Sequence, residues 1–230
     1  MQLLRNAANA AGDAQSKTTA HQAVYEDLRG RILFGDLAPG QAVTIQGIVA
    51  ELDAGMTPVR EAIRRLISDG ALAMLGNRRV CVPELTPSGV DQLDFMRQSL
   101  EPRLAQLAAA RIGAASLKDL RELDDHLDRA IARGDIPGYL TWNYRFHAAI
   151  YAAADAPILT ETVDRLWLRF GPSLRVVCGR YGTLNLPDKH ADLLGALKSG
   201  DGEGAARAMA EDVHQGMRQI REALVPIAPE

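Results

Sequence analysis

The sequence predicts a mainly α protein in two parts: three helices plus a β-hairpin at the N-terminal end, then an all-α helical bundle. Three observations carry this. Apolar residues recur at helical spacing over most of the chain, that period breaks once at two short runs around Gly76-Asn77, and a cap-then-proline start occurs at both Thr57-Pro58 and Thr86-Pro87. With 230 residues, 47% of them apolar, the chain can fill two modest cores. Its 26 basic and 29 acidic side chains leave a formal charge of −3, which excludes indiscriminate coating of nucleic acid or an anionic membrane. Any polyanion must be met locally.

Residues 1–18 read as a flexible polar and alanine-rich tail. Val24, Leu28 and Ile32 then mark a first helix from about Ala20 to Phe34, ended by Gly35 and Pro39-Gly40. Thr44 caps a short second helix with the stripe Ile45, Ile48, Val49 and Leu52. After Asp53-Ala54-Gly55, Thr57 is the expected N-cap of a third helix, with Pro58 at its first position and Val59, Ala62, Ile63, Leu66 and Ile67 facing inward. Two strands, Ala71 to Leu75 and Arg78 to Val82, flank Gly76-Asn77, a dipeptide that suits a two-residue hairpin turn. These elements form a first domain over residues 19–83. The second, over 84–226, holds six or seven helices, with a kink or break expected at Gly171-Pro172 and the last two helices running from about Pro187 to Ser199 and from Glu203 to Leu224.

The third helix carries the functional signal. Opposite its apolar stripe lie Thr57, Arg60, Glu61 and Arg64, with Arg65 at the flank. Two helices joined by a three-residue turn, the second followed by a hairpin, is the geometry that places the second helix in a DNA major groove. Arginine suits that position because its planar fork donates two hydrogen bonds to guanine O6 and N7. Residues 1–86 carry nine basic and nine acidic side chains, yet Met56 to Val82 carry five against two, so the basic surplus is concentrated on this helix and the hairpin. Arg60 is assigned to bases, Arg64 and Arg65 to phosphates or bases, and Thr44, Asn77, Arg78 and Arg79 to the surrounding duplex contacts. Helical trios with an arginine face also serve as protein-interaction modules.

In the second domain three of the five histidines, His147, His190 and His214, fall on apolar helix faces. A lone histidine there is more often a satisfied core residue. Three together suggest a divalent metal held by imidazoles projecting inward from different helices. Cys81 and Cys178 stand in no metal-type spacing and read as inert thiols of a reducing compartment. With no apolar run long enough to span a bilayer, the chain is expected to be cytoplasmic and to have no membrane partner.

The run from Pro39-Gly40 through Met56-Thr57-Pro58-Val59-Arg60-Glu61-Ala62 to Asp69-Gly70-Ala71-Leu72 resembles the winged helix-turn-helix of GntR-type transcriptional regulators, and the helical remainder is similar to the effector domain of its FadR-like subfamily. Many relatives carry serine-arginine where Gly55-Met56 stand here. The resemblance implies a metal held by an aspartate and histidine four apart plus two later histidines. His147, His190 and His214 match the histidine positions, and Asn143 stands at the aspartate position as a neutral oxygen donor. The metal would be zinc, nickel or manganese. Arg97 with Glu101 matches the family's R-x-x-x-E pattern, and Arg97 is expected either to anchor a small carboxylate effector or to form a surface ion pair with Glu101. Tyr144, Arg169 and Arg175 are further pocket candidates.

The expected protein is a homodimeric, ligand-responsive regulator, a repressor by default, bound to double-stranded DNA with inverted half-sites. The alternative is a three-histidine hydrolase with an appended binding module, although no motif places a general base beside the metal. A metal-free regulator with structural histidines is a third reading.

Overall fold

The computed structural model describes residues 20–76, 79–183 and 189–224, so the tail expected over residues 1–18 lies outside them. The chain divides into two compact units: residues 20–32 with Asp36–Pro83, and Leu33–Gly35 with the chain from Glu84 onward.

The first unit opens with all but the last residue of α1, residues 20–33, whose Val24, Leu28 and Ile32 are buried as their spacing requires. Strand β1 (Ala42–Val43) leads into α2 (Ile45–Leu52), where the Thr44 hydroxyl accepts from the Gly47 N–H at 3.0 Å. Asp53 ends α2 at φ 47°, a left-handed conformation that aspartate tolerates better than most residues. Helix α3 (Met56–Ser68) then starts two residues earlier than expected, because Gly55 and not Thr57 is its N-cap. Pro58 still costs nothing there, since the first intrahelical N–H to bond is that of Val59, to Gly55 O at 3.3 Å. Val59, Ala62, Ile63 and Leu66 form the buried stripe. Burying each such aliphatic side chain contributes ~1.5–3 kcal/mol by transfer. The Tyr25 hydroxyl ties α1 to the end of α3 by donating to Asp69 at 2.9 Å.

Strands β2 (Ala73–Met74) and β3 (Val80–Cys81) pair antiparallel, and β1 joins the far side of β3 to give the order β1-β3-β2. The third strand was not legible in advance, because two residues show no period. Ala73 faces Cys81, Met74 faces Val80, and the Leu75 N–H donates to Arg79 O at 2.7 Å. This register leaves three residues between the paired ends rather than the expected two.

The second unit is a bundle of six helices among the described residues: α4 (Pro87–Ala109), α5 (Ala114–Arg133), α6 (Ile136–Ala153), α7 (Pro157–Tyr181), α8 (His190–Ser199) and α9 (Gly202–Leu224). Thr86 and Asp135 cap α4 and α6, accepting from the N–H groups of Gly89 and Gly138 at 3.1 and 3.0 Å. Helices α4 and α9 pack along each other. Small buried residues, Ala105 and Ala108 on one and Ala205 and Ala208 on the other, permit the approach, and Gln98 donates to Ala210 O at 2.8 Å across it. Helix α7 is not broken at Gly171-Pro172. A proline removes one intrahelical bond, but Phe170, Leu174 and Val177 are buried on either side, so packing holds the helix through it. Residues 184–188, which include the expected start of α8, lie outside the described residues.

Cys81 and Cys178 are both buried. Burial pushes the Cys178 thiol up to about 12, so it stays protonated and poorly nucleophilic at neutral pH. A thiol-reactive dye at pH 8 is expected to label Cys178 only after denaturation. Rapid labelling of the native protein at Cys178 would show that its surroundings open.

Candidate functional site

Two groups of side chains stand out, one in each unit. In the first, the outward face of α3 presents Thr57, Arg60 and Arg64 to solvent. Arg60 and Arg64 lie one helical turn apart and project the same way. Arg64 is steered by Glu61, 2.7 Å away. Arg65 behaves differently. Its Nη1 donates to Gln22 at 2.9 Å and its guanidinium lies 3.7 Å above the Tyr25 ring, so α1 holds it on the flank. Thr44 is exposed and occupied as the α2 cap, and Arg79 is exposed beside the hairpin end. Asn77 and Arg78 lie outside the described residues.

In the second unit Tyr139, Asn143 and His147, at four-residue spacing on α6, line a small pocket that opens to solvent, and Tyr151 lies one turn further along the same helix. Helix α4 supplies Arg97 to it, and α9 supplies Asp212, Gln215 and Gln219. His190, at the start of α8, completes a cluster in which ligand atoms of His147, His190 and Asp212 all lie within 4.8 Å of one another. His147 Nε2 is 3.3 Å from Asp212 Oδ2.

The hydrogen bonds behind these ligands decide which nitrogen each imidazole offers. Tyr151 donates its hydroxyl to Glu101 Oε2 at 2.6 Å, so the tyrosine oxygen is an acceptor toward His147 Nδ1 at 3.3 Å. Burial, together with the charge of Glu101, keeps the Tyr151 phenol well above its ordinary value and therefore a neutral donor. His147 accordingly carries a proton on Nδ1 and turns Nε2 toward Asp212. His190 Nδ1 lies 2.8 Å from Asp124 Oδ1, a carboxylate that can only accept, so His190 too keeps its lone pair on Nε2, which is sealed from solvent. Phe146 stacks on His190 at 3.9 Å and fixes the ring plane.

Burial by itself would raise the Asp212 carboxyl. When Nε2 of both imidazoles is protonated, the hydrogen bond from His147, the positive charges of His147 and His190, and the backbone N–H of Lys189 at 3.2 Å from Oδ1 hold it well below the usual carboxylate range. An ionised carboxylate facing an imidazole lone pair calls for a cation between them, either a proton on Nε2 or a metal ion. The donor set of two imidazole nitrogens and one carboxylate suits a first-row divalent metal, and each imidazole has the outer hydrogen bond that metal-ligating histidines usually have. Tyr151→Phe removes the acceptor behind His147 and is expected to weaken metal affinity ~10- to 100-fold without altering the helical circular dichroism. A competition titration with a chromophoric chelator reads the difference, and unchanged affinity would mean that Tyr151 does not orient the ring.

Three expectations are corrected here. His214 is exposed on α9 and takes no part in the cluster. It stands two residues, about 200° of helix, beyond Asp212, so the turn that aims Asp212 inward aims His214 out. Arg97 forms its pair with Glu101, but in the interior and not on the surface. Nε and Nη2 donate to the two carboxylate oxygens at 2.6 and 3.1 Å, and the guanidinium lies 3.9 Å over the Phe170 ring. Burial works against the Arg97 charge, but Glu101 outweighs it and raises the pKa, so the group stays charged. Tyr144, Arg169 and Arg175 do not line this pocket. Tyr144 donates to Asp164 at 2.6 Å, while Arg169 and Arg175 are exposed. Asp212, Asp124 and Tyr151 were missed. The signal for Asp212 was a carboxylate followed by Gln215 and Gln219 at helical spacing along the edge of an apolar stripe.

Comparison with known proteins bears on both units. Residues 20–82 match the model of bacterial regulatory proteins of the gntR family, and residues 93–215 match that of the FCD domain. The chain is 32% identical over 200 residues to the HTH-type transcriptional regulator McbR of Escherichia coli K12, covering 84% of this chain and 89% of that one. It is 26% identical over 210 residues to the HTH-type transcriptional repressor RspR of the same strain, covering 88% and 90%. Among solved structures, E. coli McbR/YncC superposes with a TM-score of 0.82 at 30% identity over 88% of this chain and 97% of that one. A GntR regulator from Rhodococcus sp. RHA1 gives 0.70 at 25% identity, covering 88% and 97%.

Proposed function

Because the chain belongs to the GntR family of bacterial regulatory proteins and carries an FCD domain, we propose that it is a transcriptional repressor whose helical domain senses a small organic acid through a bound divalent metal. That it is a DNA-binding transcriptional regulator and not an enzyme follows from the family. The three-histidine hydrolase also loses its premise, since His214 is not in the cluster.

One observation carries the sensor reading: both buried histidines engage Nδ1 with an outer partner, Tyr151 or Asp124, and keep Nε2 for the cluster. His147, His190 and Asp212 would hold zinc, nickel or manganese, with the Asn143 carbonyl as a further neutral donor from the same pocket wall. The metal would supply Lewis-acidic charge for a carboxylate. Because a proton competes for the same nitrogens, uptake should weaken as the pH falls. In the first unit Arg60 reads a base edge and Arg64 meets the duplex close by, with Thr57, Thr44 and Arg79 at its margins. A homodimer would place two such faces on inverted half-sites. A coupling of ~1–3 kcal/mol between acid and DNA corresponds to 5- to 150-fold control. No described helix is long and apolar enough to cross a membrane, which agrees with a cytoplasmic site of action.

The test is a gel-shift titration on DNA upstream of the protein's own coding region, with metal-loaded and chelator-treated protein and a panel of carboxylic acids. A sequence-selective shift that an acid relieves only in the metal-loaded protein is the expected result. Equal relief after chelation would remove the metal from the mechanism.

A further inference from the structure

We propose that the bundle pocket selects hydroxylated monocarboxylates over dicarboxylates of the same length. The inference rests on the metal-assisted reading above and narrows it to one class of acid. Two independent features of the pocket wall support it.

The first is the charge balance. Arg97 is the only cationic side chain among the described residues lining the pocket, and its charge is already met. Two of its nitrogens are bonded to the two oxygens of Glu101, and both side chains are buried. Against a divalent cation stand Asp212 directly and Asp124 behind His190. The ligating imidazoles are neutral. Lys189 reaches the cluster only through its backbone N–H, while its ammonium is exposed and bonded to Asp192 and Glu211. With Asp212 and Asp124 both counted, a dication is already balanced, so a first carboxylate would bind by direct coordination to the metal and a second would meet no positive charge. A second carboxylate would enter the pocket without a counter-ion and give up part of its hydration, which disfavours it.

The second feature is a set of amides. Asn143 on α6 and Gln215 and Gln219 on α9 line the pocket, half-buried, and none takes a side-chain hydrogen bond among the described residues. Each amide offers both donors and an acceptor, so a hydroxyl can satisfy either side of it, whereas a carboxylate accepts from the NH₂ but leaves the amide oxygen without a donor. A pocket built on unpaired amides discriminates against a ligand of the same shape that brings no partners, because the amides lose water and gain nothing. Gln215 and Gln219 lie one turn apart on the α9 wall, so successive hydroxyls along a short carbon chain can reach both.

The test uses the full-length protein loaded with zinc, its metal content measured before and after each titration, and calorimetry with three four-carbon acids. Threonate has one carboxylate and three hydroxyls, tartrate has a second carboxylate, and butyrate has no hydroxyl. Threonate is expected to bind roughly tenfold or more tighter than either of the others. Gln219→Leu, on a half-buried helix face, is expected to shrink the difference between threonate and butyrate while tartrate stays weak and zinc content is unchanged. Tartrate binding as tightly as threonate would show Arg97 open to anions, and equal butyrate binding would show that the amides do not read hydroxyls. Either result overturns the proposal, as does undetectable threonate binding. Failure to take up zinc instead removes the metal-assisted reading and this inference with it, whereas zinc uptake without the threonate preference removes this inference alone.

Discussion

Asp212→Ala is expected to lower divalent-metal affinity by at least about 100-fold, or ~3 kcal/mol, while His214→Ala leaves it unchanged. Asp212 is the only carboxylate in the cluster, and its charge is held there by two imidazoles and a backbone N–H. Without it, two neutral nitrogens must hold a dication in a buried setting, with Asn143 as the nearest neutral oxygen donor. His214, on the exposed face, offers no substitute. Metal content by elemental analysis of untagged protein reads both variants. If affinity followed His214 instead, the geometry of α9 described above would be wrong.

The same carboxylate makes the metal-free protein sensitive to acid. Its folded-state pKa lies below the ordinary value, so its contribution to stability is complete above about pH 4 and is lost as the pH falls through the depressed folded value. Chemical denaturation of chelator-treated protein from pH 7 downward should show the onset of this loss below about pH 4, and Asp212→Asn should flatten it.

Arg60→Ala carries the other large effect, a loss of ~1–3 kcal/mol in specific DNA binding together with relaxed preference at one base position. Arg60 sits in the second turn of α3, exposed, on the face opposite Val59, Ile63 and Leu66, so its removal takes away readout without touching the core. Arg65→Ala should behave differently. Arg65 is held on Tyr25 and Gln22, so part of its effect should appear as lost stability of the first unit rather than lost sequence preference. Binding-site selection with each variant, alongside thermal melts, separates the two. Unchanged preference at every position in Arg60→Ala would contradict the base-reading assignment.

Both effects show where a sequence is informative. The helices were legible because burial imposes a period: Val59, Ala62, Ile63 and Leu66 could be placed inside α3, and Arg60 and Arg64 outside, from spacing alone. Local chemistry was legible too, as in the caps Thr44 and Thr86. The start of α3 was misjudged because Gly55 caps it without a side chain, leaving no hydroxyl or carboxylate to signal the boundary.

The candidate pocket was legible only in part. Histidines at 147 and 190 stand out by residue type, whereas Asp212 does not, and a difference of about 200° around one helix separates it from His214. Period and residue type, which act within a single helix, were enough to anticipate the two-part architecture, the exposure of Arg60 and Arg64, and two of the three residues of the cluster. Only the packing of α4, α5, α6, α8 and α9 decided that Arg97 is neutralised by Glu101, that Tyr151 and Asp124 set the imidazole tautomers, and that Asp212 closes the site. Those outcomes depend on the rotation of one helix against another, a quantity that arises from side-chain volumes across the whole interface and is written in no local pattern.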